Sequence, residues 1–275
     1  MMQYLPDSAR FERMTADEVR THFLVSGLFK QGQVSLRFTD LDRVVLGGIV
    51  PVEKPLSLGA PEALRAEYFT ERREIGLLNI GGAGGATVDG RTFPMQRLDG
   101  LYVGQGSREV TLASEDPTRP ARYYLVSYPA YTSHPTTHLR RADADLTELG
   151  SGEKSNRRNL YKYIHGDGIR SDQLVMGVTE LLEGSVWNTL PPHTHARRTE
   201  VYLYFDMMAE DVVFHLMGTP GATRSIVVRD AEAVLSPGWS IHAGAGTSRY
   251  MFCWAMGGEN QDFADMQFVN MRELK

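Results

Sequence analysis

A mainly β chain, built as two small β-barrels in tandem with few and short helices, is the fold class the sequence predicts, and three observations carry it. Glycine accounts for 27 of the 275 residues, above the roughly 7% background, and most of these glycines punctuate short apolar or alternating runs instead of helical periods. The two halves echo one another. Glu71-Arg-Arg-Glu74 leading into residues 75–80 resembles Ala196-Arg-Arg-Thr-Glu200 leading into 201–205, and Leu98-Asp-Gly-Leu-Tyr-Val103 resembles Leu235-Ser-Pro-Gly-Trp-Ser240. The shared order of features, more than any single match, argues for a repeat. Length agrees, since 275 residues exceed the usual domain of about 100–150; we therefore divide the chain into an N-terminal domain, 1–140, and a C-terminal domain, 141–275.

Along the chain, Thr15-Ala-Asp-Glu18 is a capping box that opens one helix near the start, over 19–23. The longest nearly apolar stretch, 44–52, has the length of a strand and is too short to cross a bilayer. Residues 75–80, 201–205 and 251–256 read as further strands, and the charged cluster 143–154 as a linker. The first fourteen residues carry Asp7, Arg10, Glu12 and Arg13 where a signal peptide needs an apolar region. The one cysteine, Cys253, cannot form an internal disulfide. With 29 basic against 34 acidic residues, a net charge of −5 and no block of five like charges, the chain lacks an electrostatic grip on nucleic acid or anionic lipid. We expect a cytoplasmic chain with neither nucleic acid nor membrane as partner.

The segment richest in chemistry is Pro191-Pro192-His193-Thr194-His195, followed by Glu200. Residues two apart on an extended strand share a face, so His193 and His195 converge on one ion, and the two prolines favour the extended entry. Glu200 stands an odd number of residues past His193 and would face the other way on one uninterrupted strand. A turn around Arg197-Arg198 must reset the phase, so the motif predicts two strands. A further ligand comes from a distant strand: His242 follows the Pro237-Gly238 turn. Three imidazoles and one carboxylate suit zinc, iron, manganese or nickel, with positions left open for water or substrate.

His-x-His-x4-Glu with a downstream Pro/Gly turn and His resembles the cupin signature, and the repeat makes the chain similar to a bicupin. Aligning the copies puts Tyr68, Thr70 and Gln105 where the first barrel would need ligands, so only the second is expected to hold a metal. The whole chain resembles the 5-keto-4-deoxyuronate isomerase family, also called 4-deoxy-L-threo-5-hexosulose-uronate ketol-isomerase, of pectin and uronate breakdown. The resemblance runs through Asp42-Arg-Val-Val-Leu-Gly-Gly-Ile-Val-Pro51, Tyr68-Phe-Thr-Glu-Arg-Arg-Glu74, Asn79-Ile-Gly-Gly-Ala83, Ser155-Asn-Arg-Arg158, Trp187-Asn188, the His/Glu segment, Trp239-Ser-Ile-His242 and Gly258-Glu-Asn-Gln261. The family usually carries Glu and Met where this chain has Ala196 and Thr199; neither is a ligand. The resemblance implies one Zn2+ per chain on His193, His195, Glu200 and His242, the set also reached from spacing, and a homo-hexamer.

It further implies that an aldehyde at C1 and a hydroxyl at C2 of 5-dehydro-4-deoxy-D-glucuronate exchange oxidation state, giving 3-deoxy-D-glycero-2,5-hexodiulosonate. That reaction needs a proton removed beside a carbonyl and returned to the next carbon, with the enediolate charge stabilised. Glu259, in a Gly-rich exit from an apolar strand, and Tyr202 are the candidate proton carriers. Tyr204 shares the ligand face with Tyr202 and Glu200 and is a candidate for substrate binding. The carboxylate wants a guanidinium fork, for which Arg197, Arg198, Arg157 and Arg158 are available; Arg197 and Arg198 are neighbours in a turn, so at most one faces the cavity. An iron-dependent dioxygenase, which would use the same ligand set, and a non-catalytic sugar-binding cupin, whose storage form the preserved ligand set disfavours, stand as alternatives. No Gly-x-Gly-x-x-Gly or Walker-type loop is present to hold a nucleotide.

Overall fold

The computed structural model describes residues 2–262 and 264–275. They form two compact units, one of residues 2–3, 27–144 and 163–175, the other of residues 4–26, 145–162 and 176–275. A single cut at 140/141 does not express this interleaving. The helix Ala16–Phe23, with its Thr15 capping box intact, buries Val19 and Phe23, and the Phe11 and Phe23 rings pack 5.3 and 6.2 Å from Trp239 in the second unit. Burying that apolar face places the N-terminal segment, and proximity in sequence does not.

In the first unit a seven-stranded sheet runs in the order Met2–Gln3, Val34–Thr39, Val45–Ile49, Tyr123–Pro129, Arg73–Asn79, Gly100–Val103, Thr137–Leu139, and a four-stranded sheet in the order Leu56–Ser57, Val110–Ser114, Gly84–Val88, Arg91–Met95. Alternate residues such as Ile75, Leu77, Leu101, Val103, Val110 and Leu112 meet in one core. That is the period-two consequence of two sheets facing each other, antiparallel except for the edge strand Met2–Gln3, which pairs in parallel with Val34–Thr39.

The second unit repeats the plan. Its seven-stranded sheet runs Asp145–Leu149, Arg158–Ile164, Val175–Leu181, Met251–Gly258, Arg198–Phe205, Glu232–Ser236, Leu24–Val25, and its five-stranded sheet Arg224–Val228, Val213–Gly218, Ile241–Gly246, Trp187–Thr194, Gln267–Phe268. By strand order, Arg198–Phe205 corresponds to Arg73–Asn79, Glu232–Ser236 to Gly100–Val103, and Ile241–Gly246 to Val110–Ser114. This shifts one part of the sequence alignment. Ser236 pairs with Glu200 and Val103 with Ile75, so the Pro237-Gly238 turn follows the strand that Leu98–Val103 was aligned to across it. Residues 145–149, expected in a linker, form an edge strand.

All eight residues of Arg198–Phe205 are buried, because the strand is flanked by Glu232–Ser236 and Met251–Gly258 and covered on both faces. Glu200, Tyr202 and Tyr204 take one face, Val201, Leu203 and Phe205 the other. Gly177 is needed where it stands: a Cβ there would fall 2.2 Å from Trp254 Cζ2 and 2.4 Å from the Tyr161 carbonyl oxygen, so the indole lies directly on the backbone. Cys253 is buried and unpaired. No helix among the described residues is long and apolar enough to cross a membrane.

Candidate metal centre

Three strands and a turn bring the cluster together. His193 ends the strand Trp187–Thr194 and is directly opposite His242 on Ile241–Gly246. The chain then turns over 195–197 before Arg198–Phe205 begins, which is the phase reset that lets Glu200 face the histidines. Ligand atoms of His193, His195, Glu200 and His242 lie within 4.8 Å of one another, all four residues buried. His193 Nε2 is 3.0 Å from His195 Nε2 and 2.9 Å from His242 Nε2. Glu200 Oε2 is 3.1 Å from His195 Nε2 and 2.9 Å from His242 Nε2.

Neighbouring groups decide which imidazole nitrogen faces inward. His195 Nδ1 is 3.0 Å from the Asp265 carbonyl oxygen, an acceptor only, and 3.2 Å from Arg198 Nη2, a donor that the same carbonyl engages at 3.1 Å; with Arg198 directed to that carbonyl, an Nδ1–H donated to it leaves the Nε2 lone pair aimed into the cluster. His242 Nδ1 lies 3.3 Å from Ser236 Oγ, which supports the same tautomer. Burial, reinforced by His242, pushes the His193 pKa from 6.5 down to about 2, so this ring is neutral. Burial works to raise the Glu200 carboxyl, but His242 and His195 beside it hold it well below its ordinary value. Glu200 Oε2 nonetheless accepts no properly aligned hydrogen bond. Inward lone pairs and a buried carboxylate oxygen with no donor repel one another unless a cation sits among them, so the residues fit a divalent ion. It is the one such group of His, Cys, Asp or Glu among the described residues.

His193, His195 and Glu200 form part of the wall of a cavity of about 380 Å³, with His242 behind them; it is otherwise mostly apolar: Leu160, Leu190, Phe252, Trp254, Met256 and Phe268 line it together with Tyr202, Thr189, Arg158 and Lys162. Burial above all, and then the Glu200 charge, push the Tyr202 pKa well up, so its phenol keeps its proton. Arg158 has its pKa lowered, by burial above all.

The remaining expected site residues are elsewhere. Tyr204 lies outside the cavity lining, its hydroxyl 2.8 Å from His215 Nδ1. Arg197 and Glu259 form an exposed ion pair at 2.5 Å, with 62% and 65% of their side chains accessible, and neither lines the cavity. Arg198 is 1% exposed and donates from Nη2 to the Asp265 carbonyl oxygen at 3.1 Å, behind His195. Lys162 and Thr189 were not singled out from sequence; the alternation Arg158, Leu160, Lys162 is the signal that marks the first. In the first unit, Tyr68 lies beneath the Arg108 guanidinium, 4.9 Å from ring centroid to carbon, Thr70 donates to the Ser107 carbonyl, and Gln105 donates to the Glu71 carbonyl at 3.1 Å. Gln105 stands in the loop before Val110–Ser114, whereas His242 lies on the strand corresponding to it.

Two β-barrels in one chain, one of them carrying three histidines and a carboxylate that converge on a point, define a bicupin with one group among the described residues that could hold a cation. Comparison narrows this further. The chain belongs to the KduI/IolB family, whose family model matches residues 29–274. It is 50% identical over 275 residues to the 4-deoxy-L-threo-5-hexosulose-uronate ketol-isomerase of Opitutus terrae, covering 100% of this chain and 99% of that one. The protein of the same name from Halalkalibacterium halodurans is 48% identical over 273 residues, 99% of each chain. Among solved structures, an IolB-like protein from Salmonella typhimurium LT2 matches with a TM-score of 0.72 at 13% identity over 90% of this chain and 96% of that one, a likeness of fold.

Proposed function

We propose that this chain is a zinc-dependent aldose–ketose isomerase that converts 5-dehydro-4-deoxy-D-glucuronate to 3-deoxy-D-glycero-2,5-hexodiulosonate. The observation that carries the reading is the convergence of His193, His195, Glu200 and His242 within 4.8 Å at the wall of a cavity large enough for a six-carbon acid, in a chain that shares half its residues, end to end, with an isomerase of that name. When bound, zinc supplies Lewis-acid polarisation of the C1 and C2 oxygens and stabilises the enediolate charge.

The chain's own residues do the rest. His195 is oriented by the Asp265 carbonyl, and Ser236 can accept from His242 Nδ1 in the corresponding tautomer. Apolar walls exclude water from the reacting carbons, which strengthens every polar contact inside. Tyr202 holds a proton on its phenol oxygen at the cavity edge of Glu200, which suits a donor to the substrate oxygen and not a base. Arg158 offers its guanidinium to the carboxylate from inside the cavity. Glu259 and Arg197, paired with each other outside the lining, take no part in this scheme, and Arg198 stands behind His195, bonded to the Asp265 carbonyl. The first barrel binds no catalytic ion, and the assembly is a cytoplasmic homo-hexamer.

Zinc-loaded protein incubated with the uronate alone, without nicotinamide, phosphate or oxygen, is expected to produce the ketose as followed by NMR. Oxygen uptake coupled to substrate loss would favour a dioxygenase, and tight binding without conversion a sugar-binding cupin; either result overturns the proposal.

A further inference from the structure

The cavity carries more positive charge than the cation cluster needs. Arg158, Leu160 and Lys162 occupy alternate positions of the strand Arg158–Ile164 and all three line the cavity, as the two-residue period requires. Lys162 Nζ lies 2.5 Å from Asp145 Oδ2, its register partner on the edge strand Asp145–Leu149, while Arg158 Nη1 donates to the Asn156 carbonyl at 2.8 Å. Both cations are therefore held in place before any ligand arrives. Apart from Glu200, which belongs to the cation cluster, no acid lines the cavity among the described residues.

We infer that Arg158 and Lys162 form a two-point receptor for the 2-oxo-carboxylate end of an open-chain substrate, with Asp145 as the positioning residue that aims Lys162. The inference rests on the isomerase reading, because the uronate named there carries its C5 carbonyl next to the C6 carboxylate, at the far end from C1 and C2. The division of labour follows from shape. A planar guanidinium fork matches the two oxygens of a carboxylate, and a compact ammonium suits the single carbonyl oxygen beside it. Asp145 holds Lys162 in place at the cavity, where the other walls offer an anion only desolvation. The receptor makes the cavity selective. A neutral aldose can reach the cation centre but brings no negative charge to Arg158 and Lys162, so it forgoes the charge-assisted hydrogen bonds that the uronate gains there.

The test compares two substrates in the zinc-loaded chain: the uronate, and its neutral analogue in which the C5 carbonyl and the C6 carboxylate are both reduced to alcohols. Lys162→Met is expected to lower kcat/KM for the uronate by about tenfold or more, chiefly through KM, the size of one charge-assisted hydrogen bond. The analogue should change by less than about twofold. Arg158→Lys, which keeps the charge and loses the fork, should act in the same direction, and it carries the comparison if the first variant fails to fold. Equal losses on both substrates, or no loss on either, would overturn the receptor. If the native chain binds the uronate without isomerising it, the isomerase proposal falls while the receptor is still judged by calorimetry: a preference for the uronate over the analogue that vanishes in Lys162→Met upholds it, and equal affinities refute it.

Discussion

His215 gives the sharpest handle on how burial sets this barrel's response to acid. It is 0% exposed on the strand Val213–Gly218, its Nδ1 lies 2.8 Å from the Tyr204 hydroxyl, and its Nε2 has no hydrogen-bond partner. Burial first, then the neighbouring His242, pushes its pKa from 6.5 down to about 3. Between those values the unfolded chain holds a proton that the folded chain refuses. The stability His215 permits is thus complete above pH 6.5 and is lost progressively as the pH falls toward 3. At 1.36 kcal/mol per unit of pKa difference, two pH units below 6.5 cost about 3 kcal/mol from this residue alone, a large part of a typical net stability of about 5–15 kcal/mol. His215→Phe fills similar volume but takes an acceptor from Tyr204, so at pH 7.5 it should be less stable by roughly 1–2 kcal/mol. Its stability should then fall less steeply with acid, and the two curves should cross at about pH 5–6. Urea unfolding of the chelator-treated chain from pH 4.5 to 8, followed by tryptophan fluorescence, measures this directly. Parallel curves would show that His215 takes up its proton equally in the folded and unfolded states and would refute the reasoning.

Two further perturbations separate the site from its surroundings. Gly177→Ala drives a Cβ to 2.2 Å from Trp254 Cζ2, so it should cost roughly 1–3 kcal/mol of overpacking and, because Trp254 lines the cavity, raise KM; thermal unfolding and steady-state kinetics report the two effects. Glu259→Gln removes only an exposed partner of Arg197, so kcat should stay within about twofold of the native value, and a collapse of turnover would return Glu259 to the reacting centre.

The cation centre was legible in the sequence because each part of it is a statement about side chains and strand period. His-x-His puts two imidazoles on one face, the odd spacing to Glu200 demands the turn found at 195–197, and the Pro237-Gly238 turn delivers His242. The duplicated sheet order could be read from the same punctuation. The surroundings were harder because they depend on which strands become neighbours. Nothing local distinguishes Tyr202 from Tyr204: both share the Glu200 face, but only the first reaches the cavity, the second lying against His215. The Asp265 carbonyl that orients His195 is backbone, with no residue identity to recognise. Gln105 looked like a counterpart of His242 because a loop of different length precedes the corresponding strand. Residues 145–149 read as linker because their charges suit solvent, and an edge strand carries such charges too.

The most direct measurement is a joint titration of bound zinc and isomerisation in the native chain, Glu200→Gln and His242→Ala. Glu200 Oε2 stands 2.9 Å from His242 Nε2, so each substitution removes a group that faces the others. Glu200→Gln also takes away the only carboxylate in the set of four ligands. The native chain should bind one ion, lose all turnover when it is chelated and regain it in proportion to zinc restored. Both variants should need at least about a hundredfold more zinc for half-occupancy, since losing even a supporting partner of a ligand costs roughly 10–100-fold, and turnover should follow occupancy. Full-rate isomerisation by the zinc-free chain, or unchanged zinc affinity in both variants, would contradict the account.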